Sequence, residues 1–203
     1  MTDRLPATPE GLAAAVELLR AGALVAFPTD TVYGLGCRAG DADALTRIFE
    51  AKRRPPDKLV PILVASLEQA RDLGYTVDDR ARALAGRWWP GALTLILASS
   101  ADVSASTQGF RVPDHPLALE LIRQSGPLLT SSANRSGEPE TYDPDDVLVA
   151  FADTDLVAAV LDGGLVPGGV ASSVVDLSMV PSRVLREGPI TREQLAEVIG
   201  TLD

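Results

Sequence analysis

The feature that most constrains this chain is the alternation of capped helical stretches with short apolar runs of strand length. Helix-period segments separated by four- to six-residue apolar runs imply an α/β or α+β domain built on a sheet. Thr8-Pro9-Glu10 starts a helix with an N-cap and a proline in its first turn, ending near Ala21 before Gly22. Residues 23–27 predict a buried strand, and 28–40 a Thr- and Gly-rich loop. Asp41 caps a helix to about Lys52; 60–64 reads as a strand; Ser66 through Gln69 forms a capping-box pattern; 76–79 opens another helix, ending at Trp88-Trp89-Pro90-Gly91. Strands are predicted at 93–98, 109–112, 128–130, 156–161, 173–176 and 183–186, with a helix over 116–125. Thr191 through Gln194 opens a terminal helix with a further capping box. Tight connections near the C-terminal strands predict antiparallel pairs, hence a mixed sheet.

Composition narrows the chemistry. With 203 residues, 46% hydrophobic and 23% charged, the chain is expected to be a single globular domain, spanning 8–200. No apolar run reaches membrane-spanning length, and no apolar signal core follows Asp3, Arg4 and Pro6. One cysteine, Cys37, excludes an internal disulfide, so a cytoplasmic location is expected. One histidine, His115, excludes a multi-histidine metal site; between Asp114 and Pro116 it reads as a turn or surface residue. The net charge of −10 predicts weak, salt-sensitive nucleic-acid binding or none. Neither a GxGxxG nor a GxxxxGK[ST] pattern occurs.

Four polar segments adjoin apolar runs. Pro28-Thr29-Asp30-Thr31-Val32-Tyr33-Gly34-Leu35-Gly36 puts hydroxyls directly after a strand, where α/β proteins place ligand contacts; it also fits a turn capped by its own side chains. Lys52-Arg53-Arg54-Pro55-Pro56-Asp57-Lys58 offers two cations two positions apart, suited to a polyphosphate, or a solvated helix end. Arg111, inside the apolar stretch Phe110-Arg111-Val112, must be paired, at an edge, or facing a ligand. Thr130-Ser131-Ser132-Ala133-Asn134-Arg135-Ser136-Gly137 presents small polar groups after a strand, as an anion site or an ordinary turn.

Together these segments resemble the threonylcarbamoyl-AMP synthase (YrdC-like) family. Its Lys-x-Arg and Ser-x-Asn elements read here as Lys52-Arg53-Arg54 and Ser132-Ala133-Asn134. Its opening loop matches residues 27–36; Trp89-Pro90-Gly91-Ala92-Leu93-Thr94, Arg111-Val112-Pro113, Asn134-Arg135-Ser136-Gly137, Ser172-Ser173-Val174-Val175-Asp176 and Leu185-Arg186-Glu187-Gly188 match the rest. The resemblance runs from about Gly11 to Gly188.

The resemblance implies an α/β domain with a twisted mixed sheet and flanking helices around a concave cleft. It implies a nucleotidyltransferase that joins L-threonine, bicarbonate and ATP into threonylcarbamoyl-adenylate and pyrophosphate. Mg²⁺ comes with ATP and is not fixed by protein ligands. Downstream transferase proteins then carry the group to tRNA. It implies threonine contacts at Thr31, Leu63, Arg111, Thr130, Ser131 and Ser172. ATP contacts are implied at Lys52, Arg54, Lys58, Thr107, Ser132, Asn134 and Arg186, with Lys52, Arg54, Ser132 and Asn134 as the catalytic set.

Two departures stand out. Leu63 falls where many members carry a histidine, so apolar packing is expected there. Arg53 stands where glycine is often found, which is expected to crowd the turn. The extra C-terminal domain of longer members is expected to be missing. Two rivals share the fold: an RNA-binding or ribosome-maturation module, and a paralogue forming a carbamoyl-adenylate without threonine. The charge weighs against the first, and the set Thr31, Arg111 and Ser172 against the second.

Overall fold

A computed structural model describes residues 2–55, 60–101 and 106–203. The chain divides into two compact units, Met1–Val60 with His115–Gly169, and Pro61–Asp114 with Val170–Asp203.

In the first unit the sheet order is β1 (Asp3–Pro6), β8 (Val157–Asp162), β2 (Leu24–Pro28), β3 (Tyr33–Arg38), β7 (Leu128–Ser132). β1, β8 and β2 run parallel, whereas β2–β3 and β3–β7 are antiparallel. β2 is buried throughout, as its unbroken apolar run requires of a strand covered on both faces. α1 (Pro9–Arg20) starts where the Thr8 hydroxyl accepts the Gly11 N–H at 3.2 Å. It buries Leu12, Ala15, Val16 and Leu19, one helical stripe, and packs on α5 (Pro116–Ser125). α2 (Ala42–Lys52) is capped by Asp41, whose carboxylate accepts the Ala44 N–H at 2.8 Å. His115 occupies the N-cap position of α5, half-buried and without a side-chain bond to the helix N–H groups.

Three elements of this unit differ from the sequence expectation. Residues 28–40 are not one loop, because β3 lies within them. Its glycines read as a turn, but they are there for packing. A Cβ on Gly34 would stand 2.7 Å from the Thr130 methyl, and one on Gly36 would stand 2.7 Å from the Phe27 ring. Tyr33, Leu35 and Cys37 fill the opposite face, all buried. β1 leaves no local signal in the sequence, because its pairing is with β8, far along the chain, and its Arg4 bridges Asp145 and Asp162 at 2.7 and 2.8 Å. α6 (Pro144–Ala150) is short, although Asp143 caps it through the Asp146 N–H at 2.9 Å.

In the second unit the order is β4 (Ile62–Leu63), β6 (Thr107–Arg111), β5 (Leu93–Ala98), β9 (Ser173–Asp176), β10 (Arg183–Arg186). β4–β6 and β5–β9 are parallel; β5–β6 and β9–β10 are antiparallel. α4 (Asp79–Trp88) packs on α7 (Arg192–Ile199), whose Thr191–Gln194 capping box forms as expected. The strand expected over 60–64 is only the two residues of β4. Ser66 caps nothing with its side chain at α3 (Leu67–Asp72); Gln69 Oε1 instead accepts the Ala65 N–H at 2.7 Å. α4 is capped by Asp78, whose carboxylate takes the Ala81 N–H at 2.9 Å. Each unit is mixed α/β, a mixed sheet with helices on it, the class expected. Among the described residues no helix is long and apolar enough to cross a membrane.

Candidate functional site

The polar groups of the first unit gather where strands and one helix end. At the end of β2, Thr29 organises the loop: its hydroxyl donates to Val32 O at 2.6 Å and accepts the Thr31 N–H at 3.2 Å. The Thr29 and Thr31 hydroxyls lie 3.1 Å apart, both buried. Thr31 is therefore set by Thr29, a residue absent from the expected contacts although it sits in the same motif.

α2 ends in a Schellman-type turn. Arg54 N–H bonds Phe49 O at 2.9 Å and Arg53 N–H bonds Glu50 O at 3.0 Å. The turn requires a left-handed residue, and Arg53 supplies it with φ 51° and ψ 43°. It is the one non-glycine residue with positive φ among the described residues. The expected crowding at Arg53 is thus a matter of backbone conformation; its side chain reaches outward to Asp153 at 2.6 Å, with both partners largely exposed.

The turn interlocks with the loop after β7. Lys52, 2% exposed, donates to Ser132 O, to Asn134 O at 2.5 Å and to Asn134 Oδ1 at 3.2 Å. In return, Lys52 O accepts the Ser136 N–H at 2.9 Å, and Ala51 O accepts from the Arg135 guanidinium. The Ser132 hydroxyl donates to Asn134 Oδ1 at 2.6 Å, and Asn134 Nδ2 donates to Glu138 O at 2.7 Å. Arg54 Nη1 donates to the Ser131 hydroxyl at 3.1 Å. Burial first, then the nearby Arg54 and Arg135 charges, push Lys52 down to about 8, with Glu140 partly opposing. Arg135, buried and unassigned by the sequence reading, also donates to Ala150 O at 3.0 Å, pairs with Asp153 and lies 5.1 Å above the Phe151 ring. Its only sequence signal was its place between Asn134 and Ser136 in a motif of small polar groups.

The structure thus brings Lys52, Arg54, Ser131, Ser132 and Asn134 together. Thr130 is buried in β7, its hydroxyl bonding Leu128 O at 3.2 Å. Lys58 lies outside the described residues.

In the second unit Arg111 ends β6, 8% exposed, with Nε donating to Gly91 O at 2.9 Å. The Trp89-Pro90-Gly91 turn therefore holds the guanidinium through a main-chain carbonyl. Leu63 is the register partner of Arg111 in the β4–β6 pair and is buried. Ser172, also buried, is gripped by Arg186: Nε bonds its carbonyl at 2.8 Å and Nη2 its hydroxyl at 3.2 Å. The Ser172 hydroxyl also lies 2.9 Å from that of Thr94, a buried residue of β5 that the sequence reading left unassigned. Thr107 stands exposed at the opposite end of β6 from Arg111. Among the described residues no group of three or more His, Cys, Asp or Glu side chains is placed to hold a metal ion. Cys37 is buried, and burial pushes its thiol up to about 12, so it is a poor nucleophile at neutral pH.

The first unit interlocks a Lys-x-Arg element at the end of α2 with a Ser-x-Asn element at the end of β7, the two motifs on which the family resemblance rests. The family model described as telomere recombination, Sua5/YciO/YrdC, matches residues 17–188. The chain belongs to that family, which includes the threonylcarbamoyl-AMP synthases. It is 42% identical to the threonylcarbamoyl-AMP synthase of Bacillus subtilis over 100% of this chain and 60% of that protein. It is 40% identical to a putative threonylcarbamoyl-AMP synthase of Mycobacterium tuberculosis over 94% of this chain and 89% of that one. The crystal structure of P. abyssi Sua5 complexed with L-threonine superposes with a TM-score of 0.89 at 37% identity. That match covers 100% of this chain and 62% of the P. abyssi chain. The chain therefore spans less than two thirds of the B. subtilis and P. abyssi proteins.

Proposed function

We propose that this chain makes threonylcarbamoyl-adenylate and pyrophosphate from L-threonine, bicarbonate and ATP, with residues 8–200 as one catalytic domain acting in the cytoplasm. The observation that carries the reading is the interlock of Lys52 and Arg54 with Ser131, Ser132 and Asn134, which fixes a cationic turn beside a hydroxyl- and amide-bearing loop. Family membership supports the reaction class.

The ATP half of the reading comprises Lys52, Arg54, Lys58, Thr107, Ser132, Asn134 and Arg186. The threonine half comprises Thr31, Leu63, Arg111, Thr130, Ser131 and Ser172. The amine of threonine adds to the bicarbonate carbon with loss of water, giving a carbamate. A carbamate oxygen attacks the α-phosphorus, forming the O–P bond, and the bond to the β-phosphate oxygen breaks, so pyrophosphate leaves. The nucleophile is already an anion, so the work is alignment and neutralisation of phosphate charge, not proton abstraction. Arg54 suits it as a planar donor held from one side by Ser131. Magnesium travels with ATP as part of the substrate complex. Arg111 offers the threonine carboxylate a guanidinium whose Nε is fixed on Gly91 O. The product passes to transferase proteins that modify tRNA, and the charge of −10 keeps tRNA binding to this chain weak.

The test is steady-state pyrophosphate release. It should require threonine and bicarbonate together, and Arg111→Ala should raise the threonine KM roughly tenfold to a hundredfold, the value of about 1.5–3 kcal/mol for a charge-assisted bond. Equal release without threonine moves the chain to carbamoyl-adenylate formation. No release, with tRNA binding that survives high salt, moves it to the RNA-binding class.

A further inference from the structure

We propose that Lys52 is a positioning residue that locks the Ser132-Ala133-Asn134 loop onto the last turn of α2, leaving Arg54 as the cation of this element that meets phosphate. The inference rests on the reaction proposed above and revises one contact in it: of the two cations placed with ATP, Lys52 acts through the loop and Arg54 on the phosphate.

An ammonium has three hydrogens and no other donor. Lys52 has three acceptors within reach, Ser132 O, Asn134 O and Asn134 Oδ1, all on one loop. With 2% of the residue exposed, a phosphate could be met only by giving up one of these bonds. The same loop returns bonds to the helix end, from Ser136 N–H to Lys52 O and from Arg135 to Ala51 O. Those carbonyls belong to the last turn of α2, which has no helical partner for them. One helix terminus and one strand-end loop therefore satisfy each other. Asn134 Oδ1, held by both Lys52 and the Ser132 hydroxyl, fixes the side chain of each Ser-x-Asn member relative to the other.

Arg54 differs in each respect. It is half-buried, one nitrogen is 3.1 Å from the Ser131 hydroxyl, and its Nε has no hydrogen-bond partner among the described residues. A guanidinium has five N–H donors, so Arg54 retains capacity for an anion that Lys52 has already spent on the protein.

The experiment combines amide exchange with kinetics on the full chain, comparing wild type, Lys52→Met, Lys52→Arg and Arg54→Met. The reporters are the N–H groups of Ala133, Ser136 and Glu138, bonded to Tyr33 O, Lys52 O and Arg135 O. Lys52→Met should speed their exchange at least tenfold and lower kcat at least tenfold, with the ATP KM within twofold of wild type; Lys52→Arg should restore part of both. Arg54→Met should raise the ATP KM at least tenfold with exchange unchanged. The proposal is overturned if Lys52→Met leaves loop exchange unchanged and raises the ATP KM as Arg54→Met does. If Lys52→Met does not fold, Lys52→Arg decides: loop exchange as in wild type together with an ATP KM raised as in Arg54→Met overturns the proposal. If wild type releases no pyrophosphate, the reaction assigned above fails, while the exchange measurements, which need no turnover, still decide the role of Lys52.

Discussion

Lys52 and Arg135 of the first unit and Arg186 of the second are held in opposite ways. In the first, Lys52 and Arg135 are 2% and 6% exposed and bond mainly to main-chain carbonyls, so their charge is part of the loop architecture. In the second, Arg186 is exposed and bonds both the carbonyl and the hydroxyl of Ser172, and that hydroxyl also lies 2.9 Å from the Thr94 hydroxyl. A cation buried on carbonyls cannot be removed without leaving acceptors that water reaches poorly, whereas acceptors near an exposed cation are more readily rehydrated. Similar side chains thus carry different energetic weight according to what replaces them.

The largest test of this contrast pairs two substitutions. Arg135→Met should destabilise the protein by about 3 kcal/mol, because Ala51 O and Ala150 O lose their donor and the stacking on Phe151 is lost. Arg186→Met should cost less than about 1 kcal/mol. Urea unfolding of both variants measures this; equal costs break the contrast.

A smaller effect sharpens the account of the second unit. Thr94→Val keeps the shape of β5 and removes the hydroxyl 2.9 Å from that of Ser172. The expected loss is about 1 kcal/mol in stability. The threonine KM should rise severalfold with the ATP KM unchanged, and Thr94→Ser should restore both. A shift in the ATP KM alone would assign the Thr94–Ser172 pair to the nucleotide half of the reading.

The smallest effect concerns Arg53. Glycine accepts φ 51° without a Cβ penalty but has more freedom to lose on folding, and the exposed pair with Asp153 is worth little. Arg53→Gly should raise stability by about 0.5 kcal/mol, whereas Arg53→Val should lower it by more than 1 kcal/mol, since a β-branched residue fits this region poorly. Thermal melts of the two variants set the sign. If Arg53→Gly is less stable than wild type, the ion pair with Asp153 outweighs the backbone conformation.

Much of the scaffold was legible because its signals are local. The caps at Thr8, Asp41 and Thr191 each join a side chain to an N–H three residues on, and such a bond leaves its pattern in adjacent letters. Ser66 shows the limit: the same letters stand there, yet Gln69 reaches past them to Ala65. β3 was unreadable as a strand, since Gly34 and Gly36 owe their presence to Thr130 and Phe27, on other strands.

The sequence by itself determined most of the element order, the buried strands and the family, since the motifs of residues 27–36, 52–54 and 132–137 are contiguous and specific. Tertiary structure alone decided which of two neighbouring cations is used up. Lys52 and Arg54 are separated by one residue, but the left-handed turn at Arg53 sends them to different surroundings. Lys52 then meets three acceptors on a loop about eighty positions away. A bond over that distance exists only once β7 and α2 are packed, because the closure of so long a segment is repaid by the whole interface and not by any signal in the letters between.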